Sequence, residues 1–321
     1  MFDVVALGEL LIDFTYVDAG YDGYPIMAAH PGGAPCNLLA ALAKSGAATA
    51  LLGKVGSDRF GNLLRSTLDT LGIDTSGLVS DHNAFTTLAF VDLDEHGERS
   101  FSFARKPGAD TLLRPDEVDL SIIEQCRIFH FGSLSLTHEP ARSATRRAIE
   151  YAKSLGRVIS FDPNLRPPLW SNLASAKEQI LWGLDQADIV KISDDEVDFL
   201  YGLKPDLGAR FILDRHNAKL VFVTCGAEGC WYDNGTVSGH TEAPQGLPIS
   251  DTTGTGDIFG GSALWKLLQT NKKPEDLTGS DLHDITRFAC AAASLSATRP
   301  GGIPSVPDCT EVQKLIESIW K

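Results

Sequence analysis

The sequence predicts an α/β protein, with a mainly parallel central sheet, helices on both of its faces, and a small antiparallel β element beside it. Three observations carry this. Apolar runs of strand length alternate with helix-length segments through most of the 321 residues. Two stretches, residues 14–30 and 86–105, break that alternation. Composition is near the globular average, 43% hydrophobic and 22% charged, so a chain of this length can bury a substantial core.

Taken in order, Val4-Val5-Ala6-Leu7 is an apolar run closed by Gly8 and reads as the first strand. It has neither the basic stretch nor the small-residue cleavage site of a signal peptide. Further strands are expected at 49–53, 128–131, 158–162, 189–192 and 220–224. Helical patterns lie between them at 36–44, 62–71, 140–155, 174–184 and 258–269, which suits crossovers between parallel strands. Residues 87–93 and 100–104 alternate apolar and polar about a turn at 94–97 and read as a hairpin. Residues 271–277 read as a polar surface loop, and no repeat or low-complexity tract is present.

Charge and cysteine usage narrow the function classes. Twenty-eight basic against 42 acidic residues give a formal charge of −14, with no dense Lys/Arg run, so nucleic acid and anionic membrane are disfavoured partners. No apolar run approaches the ~20 residues a membrane helix requires. Six scattered cysteines show no CxxC pair and no His at metal spacing, which reads as reduced, mostly buried thiols and a cytoplasmic protein.

The strongest chemical signal is Asp251-Thr252-Thr253-Gly254-Thr255-Gly256-Asp257, running directly into an apolar helix. Glycines permit a tight turn with exposed amides, and a helix N-terminus adds its dipole, which together make an anion site without basic side chains. Asp257 would repel a phosphate, so its sensible role there is to accept the proton of an attacking hydroxyl. A helix-start Asp with turn glycines is the plain alternative. A second signal is Pro31-Gly32-Gly33-Ala34-Pro35-Cys36-Asn37, where paired glycines admit a small polar ligand and Asn37 offers donor and acceptors. Third, Ser193-x-x-Glu196 after Lys191-Ile192 has the form of a capping box. Fourth, Thr224-Cys225-Gly226-Ala227-Glu228-Gly229 follows a strand as a glycine turn, a weak motif by itself. No Gly-x-Gly-x-x-Gly follows the first strand, which sets aside a dinucleotide-binding dehydrogenase, and there is no Walker A sequence.

Together these motifs resemble the signatures of the ribokinase-like (PfkB) carbohydrate kinases across essentially the whole chain. The resemblance implies a three-layer ribokinase-like α/β domain over 1–321, with a mainly parallel central sheet and a small β lid formed by about 14–30 and 86–105. It implies Asp257 as catalytic base and Gly254, Thr255 and Gly256 as anion hole, although the family usually has Ala at the Thr255 position. It places Asp13, Gly32, Gly33 and Asn37 on the sugar. It places Lys191, Ser193, Glu196, Thr224, Gly226, Gly229, Gly256 and Cys290 on ATP. Ser193 stands where the family has Asn, and Glu196 would help hold Mg²⁺ through water, a role compatible with capping. Asp251, Thr253, Ser296, Arg299, Gly301 and Ser305 match a site for a monovalent cation such as K⁺, mostly through backbone.

Within the family, three stretches look like the fructokinase form. They are Gly33-Ala34-Pro35-Cys36-Asn37, Phe129–Leu136 and Asp162-Pro163-Asn164-Leu165-Arg166. The stretch around Arg105 resembles that subfamily's lid-side sugar segment, so Arg105 and Arg166 are candidate sugar or phosphate contacts, against a surface salt bridge as the alternative. The expected reaction is phosphorylation of D-fructose to fructose 6-phosphate. A 2-keto-3-deoxygluconate kinase, with Arg105 or Lys106 facing the acid, and an inactive ribokinase-like binding protein are the alternatives. Edge strands in the lid point to a homodimer.

Overall fold

The structure is a computed structural model that describes residues 1–93 and 99–319. The chain opens with β1 (Phe2–Leu7), β2 (Leu11–Ala19), β3 (Pro25–Gly32), α1 (Ala34–Lys44), β4 (Thr49–Gly56), α2 (Arg59–Thr70) and β5 (Leu78–Asp81). The hairpin β6 (Leu88–Leu93) and β7 (Arg99–Ala104) follows, then α3 (Leu120–Glu124). The middle alternates strictly: β8 (Cys126–Gly132), α4 (Ala141–Ser154), β9 (Val158–Asp162), α5 (Leu173–Gln186), β10 (Ile189–Ser193), α6 (Asp194–Tyr201), α7 (Pro205–His216) and β11 (Leu220–Thr224). The hairpin β12 (Cys230–Asp233) and β13 (Ser238–Thr241) leads to α8 (Thr255–Thr270), α9 (Gly279–Ser296) and α10 (Cys309–Ile319).

Among the described residues these strands form two sheets. The large one has the order β13-β12-β11-β10-β9-β8-β1-β4-β5. Every neighbouring pair from β11 through β5 is parallel, and β12 and β13 add an antiparallel edge. Strands buried on both faces should be apolar along their buried length, and β1 is from Val4 to Leu7: Val4 and Ala6 pack with α1 and α8, Val5 and Leu7 with α4. One face of the sheet carries α1, α2, α8, α9 and α10, the other α3 to α7, which gives the expected three layers.

The small sheet has the order β3-β2-β6-β7. The two stretches that break the α/β alternation therefore come together, with β2 antiparallel to β3 and parallel to β6. Phe14 of β2 stacks on Phe90 of β6 at 5.3 Å and meets Phe60 of α2 edge-on at 5.6 Å, tying this sheet to the helical layer. The turn expected at 94–97 lies outside the described residues. One expectation needs correction: 271–277 is not simply a surface loop, because a short helical turn at Pro274–Asp276 buries Pro274, and Asn234 donates to the Pro274 and Leu277 carbonyls. Among the described residues no helix is long and apolar enough to cross a membrane.

Candidate active site

The carboxyl ends of β1, β8, β9, β10 and β11 all point to one side of the large sheet, where ligands of such sheets bind. Two cavities open there. The smaller, about 390 Å³, is lined by Glu9, Asp13, Gly33, Asn37, Phe103, Leu134 and Arg166, among others. The larger, about 610 Å³, is lined by Lys191, Ser193, Glu196, Thr224, Gly226, Gly229, Gly256 and Cys290 along with apolar residues such as Leu247, Ile249 and Phe259. Asn164, Arg166, Thr252, Gly254 and Asp257 line both. The site is one bipartite space whose halves meet at the start of α8.

That junction follows from local sequence. Gly254 caps α8 in a left-handed conformation, φ 76°, which only glycine adopts without strain. The turn delivers Asp257 to the third position of the helix. Its carboxylate is 8% exposed and accepts a hydrogen bond from Asn37 Nδ2 at 2.8 Å. Asn37 comes from α1, so the packing of α1 against α8 fixes the rotamer of the acid. Burial pushes the Asp257 carboxyl up to about 7; nearby Asp162 adds to the rise, while Lys191, Asn37 and Arg166 oppose it. A carboxylate with that affinity is matched to proton transfer near neutral pH.

Lys191, in the middle of β10, donates to Asp162 Oδ2 at 3.0 Å. Burial alone would lower its amine, but Asp162, Glu196 and Asp257 outweigh that and hold it above its ordinary value, hence fully charged. Gly256 has no side chain because a Cβ there would come within 2.8 Å of the Lys191 ammonium. Glycine thus lets the cation lie directly against the helix start, where a polyphosphate needs it. Ser193 and Glu196 form the reciprocal capping box: Ser193 Oγ accepts from the Glu196 amide at 3.2 Å and Glu196 Oε2 accepts from the Ser193 amide at 2.9 Å. Glu196 Oε1 accepts from the Leu165 amide at 2.7 Å, joining the β9 and β10 loops. Cys290 is a buried wall residue whose thiol burial pushes up to about 12, so it offers no nucleophile.

Asp13, near the start of β2, is 6% exposed, and burial drives its carboxyl up to about 7, with Arg166 opposing and Asp257 and Asp251 assisting. Asp251 binds the turn together: Oδ1 accepts from the Thr253 amide and Oδ2 from the Gly301 amide, both at 2.8 Å. The buried hydroxyls of Ser296 and Ser305 donate to the carbonyls of Ala293 and Gly302. The Arg299 side chain is directed to Glu311 of α10.

Three of the expected residues are placed differently from the others. Gly32 does not line the smaller cavity; Gly33 does. The amide and hydroxyl of Thr255 both donate to the Thr252 carbonyl, at 3.3 and 3.1 Å, so this residue closes the turn. Arg105 is neither a cavity-lining contact nor a surface salt bridge. It is 4% exposed and gives Nε and Nη2 to Asp110 Oδ2 at 2.8 and 2.6 Å, Nη2 to the Leu134 carbonyl and Nη1 to Thr137 Oγ1, each at 3.0 Å. A buried guanidinium without partners would be far too costly, and these partners occupy most of its donors.

Two side chains that sequence reasoning passed over belong to the site. Glu9 is 3% exposed, lines the smaller cavity and accepts from the Ala34 amide at 2.9 Å; burial pushes it to about 7. Its signal is legible in hindsight, a lone carboxylate inside Val4-Val5-Ala6-Leu7-Gly8-Glu9-Leu10-Leu11-Ile12. Asp162 is the other, a strand-end acid whose partner Lys191 lies 29 residues away.

Comparison with known proteins agrees with this geometry. A family model described as pfkB family carbohydrate kinase matches residues 1–309. The chain is 41% identical over 317 residues to probable fructokinase-4 of Arabidopsis thaliana, spanning 98% of this chain and 96% of that protein. It is 42% identical over 320 residues to fructokinase-1 of Oryza sativa subsp. japonica, spanning 98% of each. Among solved structures, a fructokinase with bound ATP from Xylella fastidiosa is similar with a TM-score of 0.91 at 31% identity, covering 100% of both chains. A fructokinase from Vibrio cholerae O395, in a form with fructose, ADP and calcium ion bound, has a TM-score of 0.87 at 31% identity, covering 98% of this chain and 99% of that one. Both cavities, the helix-start turn and the matched span lead to one conclusion: the chain belongs to the pfkB family of carbohydrate kinases.

Proposed function

We propose that this protein transfers the γ-phosphoryl group of ATP to the primary hydroxyl of D-fructose, giving fructose 6-phosphate and ADP, with Asp257 as general base. The observation that carries this reading is that Asp257 and Gly254 line both cavities. A hydroxyl in the smaller cavity and a phosphate in the larger one would meet at the group able to take the proton. Relatives named fructokinases at 41% and 42% identity support fructose as the acceptor.

In this reading Asp13, Gly33, Asn37 and Arg166 hold the sugar. Asn37 also fixes Asp257 for in-line attack, and holding both reactants in one geometry supplies much of the rate gain. ATP lies in the larger cavity against Thr224, Gly226, Gly229 and Cys290, with its phosphates toward Lys191 and the α8 amides. The fit is chemical: a backbone-lined helix start and a charged lysine suit a polyanion. A divalent ion such as Mg²⁺, carried by the phosphates, neutralises their charge. Among the described residues no cluster of three metal-ligating side chains exists to cage it. Glu196 already accepts two backbone amides, which suits a contact through water. Asp251, Thr253, Ser296, Arg299, Gly301 and Ser305 surround the turn where K⁺ would bind, and the Asp251 bridges are the support for it.

The small sheet is read as a lid, formed by 14–30 and 86–105 of a single kinase domain, that excludes water. Its outer surface leaves Tyr16, Val17, Tyr24 and Ile26 exposed, which supports pairing with a second copy. The acidic charge supports a cytoplasmic enzyme that binds neither nucleic acid nor anionic membrane.

The test is ADP release in a coupled assay with Mg-ATP and, in parallel, fructose, ribose, glucose and 2-keto-3-deoxygluconate. Selective turnover of fructose is expected. Preference for another sugar would overturn the acceptor, and silence across the panel would overturn the kinase reading.

A further inference from the structure

The wall of the smaller cavity contains a cation that the cavity does not display. Phe103 and Leu134 line the cavity. Arg105 lies directly behind them, two residues after Phe103 and hydrogen-bonded to the Leu134 carbonyl at 3.0 Å. Its guanidinium is close enough to Glu9, on the same wall, to influence that carboxylate. What the cavity experiences of this guanidinium depends on the partner that engages it.

That partner is Asp110. Its Oδ2 takes both Nε and Nη2 of Arg105, and its Oδ1 accepts from Thr87 Oγ1 at 2.5 Å. Both members of the pair are buried, Arg105 at 4% and Asp110 at 7% exposure. A second carboxylate, Glu9, stands on the cavity side of the pair. Its Oε1 accepts from the Ala34 amide at 2.9 Å. The cavity lining itself then carries Glu9, Asp13 and Asp257 against Arg166 alone.

We propose that Asp110, backed by Glu9, determines the acceptor class: by engaging Arg105 it withholds a second cation that, beside Arg166, could face a sugar carboxylate, and so confines the enzyme to neutral sugars. The inference rests on the sugar-kinase reading above and concerns the same cavity. A neutral hexose needs hydroxyl partners, which carboxylates supply as acceptors. A sugar acid would add a negative charge beside three buried carboxyl groups, where like charges are unfavourable. Rejection of this kind is a repulsive device, and its removal should show as a gain.

The experiment compares wild type, Asp110→Asn, Glu9→Gln and the double variant. The readout is the ratio of competitive inhibition constants for D-gluconate and its neutral counterpart D-glucitol, measured against fructose phosphorylation. The ratio cancels any general loosening of the cavity, which would move both constants together. Asp110→Asn keeps the shape and removes the charge, and the ratio is expected to shift at least tenfold toward gluconate. Glu9→Gln leaves the ion pair intact and should shift it by a smaller factor. The double variant should show the largest shift and measurable turnover of 2-keto-3-deoxygluconate. Adding Arg105→Gln to the double variant should return the ratio to that of Glu9→Gln alone. If Asp110→Asn fails to fold, as read by its thermal melt, the Glu9→Gln ratio alone decides. An unchanged ratio in every folded variant overturns the proposal, as does a wild type that already prefers the sugar acid. Absence of fructose turnover in wild type would instead be the failure of the proposed function.

Discussion

The two halves of the site are built from different materials. The smaller cavity is walled by charged side chains: Glu9, Asp13 and Asp257, each buried and each driven to about 7, with Arg166 facing them. The larger combines glycines, small residues and apolar side chains with a charged group of its own, Lys191 beside Asp194, Asp195 and Glu196, and carboxylates reinforce the lysine's charge. One half holds ionisable groups against their preference. The other uses amides that cost little to bury because they are part of the fold. In the proposed function this becomes a division of labour, with proton chemistry and acceptor choice assigned to buried carboxylates and anion binding to main chain and Lys191.

Substitutions at the junction and within each half should separate the two. The largest effect is expected from Asp257→Asn, which keeps the Asn37 contact geometry but removes the base. Its kcat should fall roughly 10²–10⁴-fold with KM for ATP little changed, by steady-state assay. Near wild-type turnover would remove Asp257 from the mechanism. Next, Gly256→Ala puts a methyl against the Lys191 ammonium. KM for ATP should rise roughly tenfold, about 1.4 kcal/mol, while KM for fructose stays nearly constant. Equal rises in both would mean the halves are not independent.

The smallest effect is on stability. The folded Asp13 carboxyl is raised from 3.8 to about 7 by burial, so its contribution is intact below about pH 4 and is lost as pH rises toward 7. At pH 8 the ionised group therefore opposes folding. Asp13→Asn should raise the melting temperature at pH 8 by a few degrees while raising KM for fructose, the usual exchange of stability for function. A lower melting temperature at pH 8 would show that the carboxylate is well solvated or paired.

The same contrast explains what could be read from the sequence. The backbone-built half announces itself locally: glycine spacing from Gly254 to Gly256, the capping box at Ser193 and Glu196, and the glycine turn after Thr224 are all contiguous. The alternation of strands and helices predicted the parallel sheet and the separate β element for the same reason, since period and turn chemistry are local. The side-chain half depends on partners far apart in sequence. Asp257 and Asn37 meet across 220 positions, and Asp162 and Lys191 across 29. Arg105 shows the limit most clearly. Its sequence neighbourhood suggests a ligand contact, yet Asp110 five positions on takes its donors, and only the folded hairpin and the 134–137 turn reveal the burial that compels this.

The most direct test of the central claim is the pH dependence of kcat/KM for fructose, in wild type and in the residual activity of Asp257→Asn. A buried carboxylate acting as base must be ionised, so activity should fall with unit slope below about pH 7 in wild type. In Asp257→Asn that acid limb should disappear even though Asp13 and Glu9 remain. A wild-type profile flat from pH 5.5 to 8.5, or the same limb persisting in the variant, would contradict the assignment of Asp257 as the base at the junction of the two cavities.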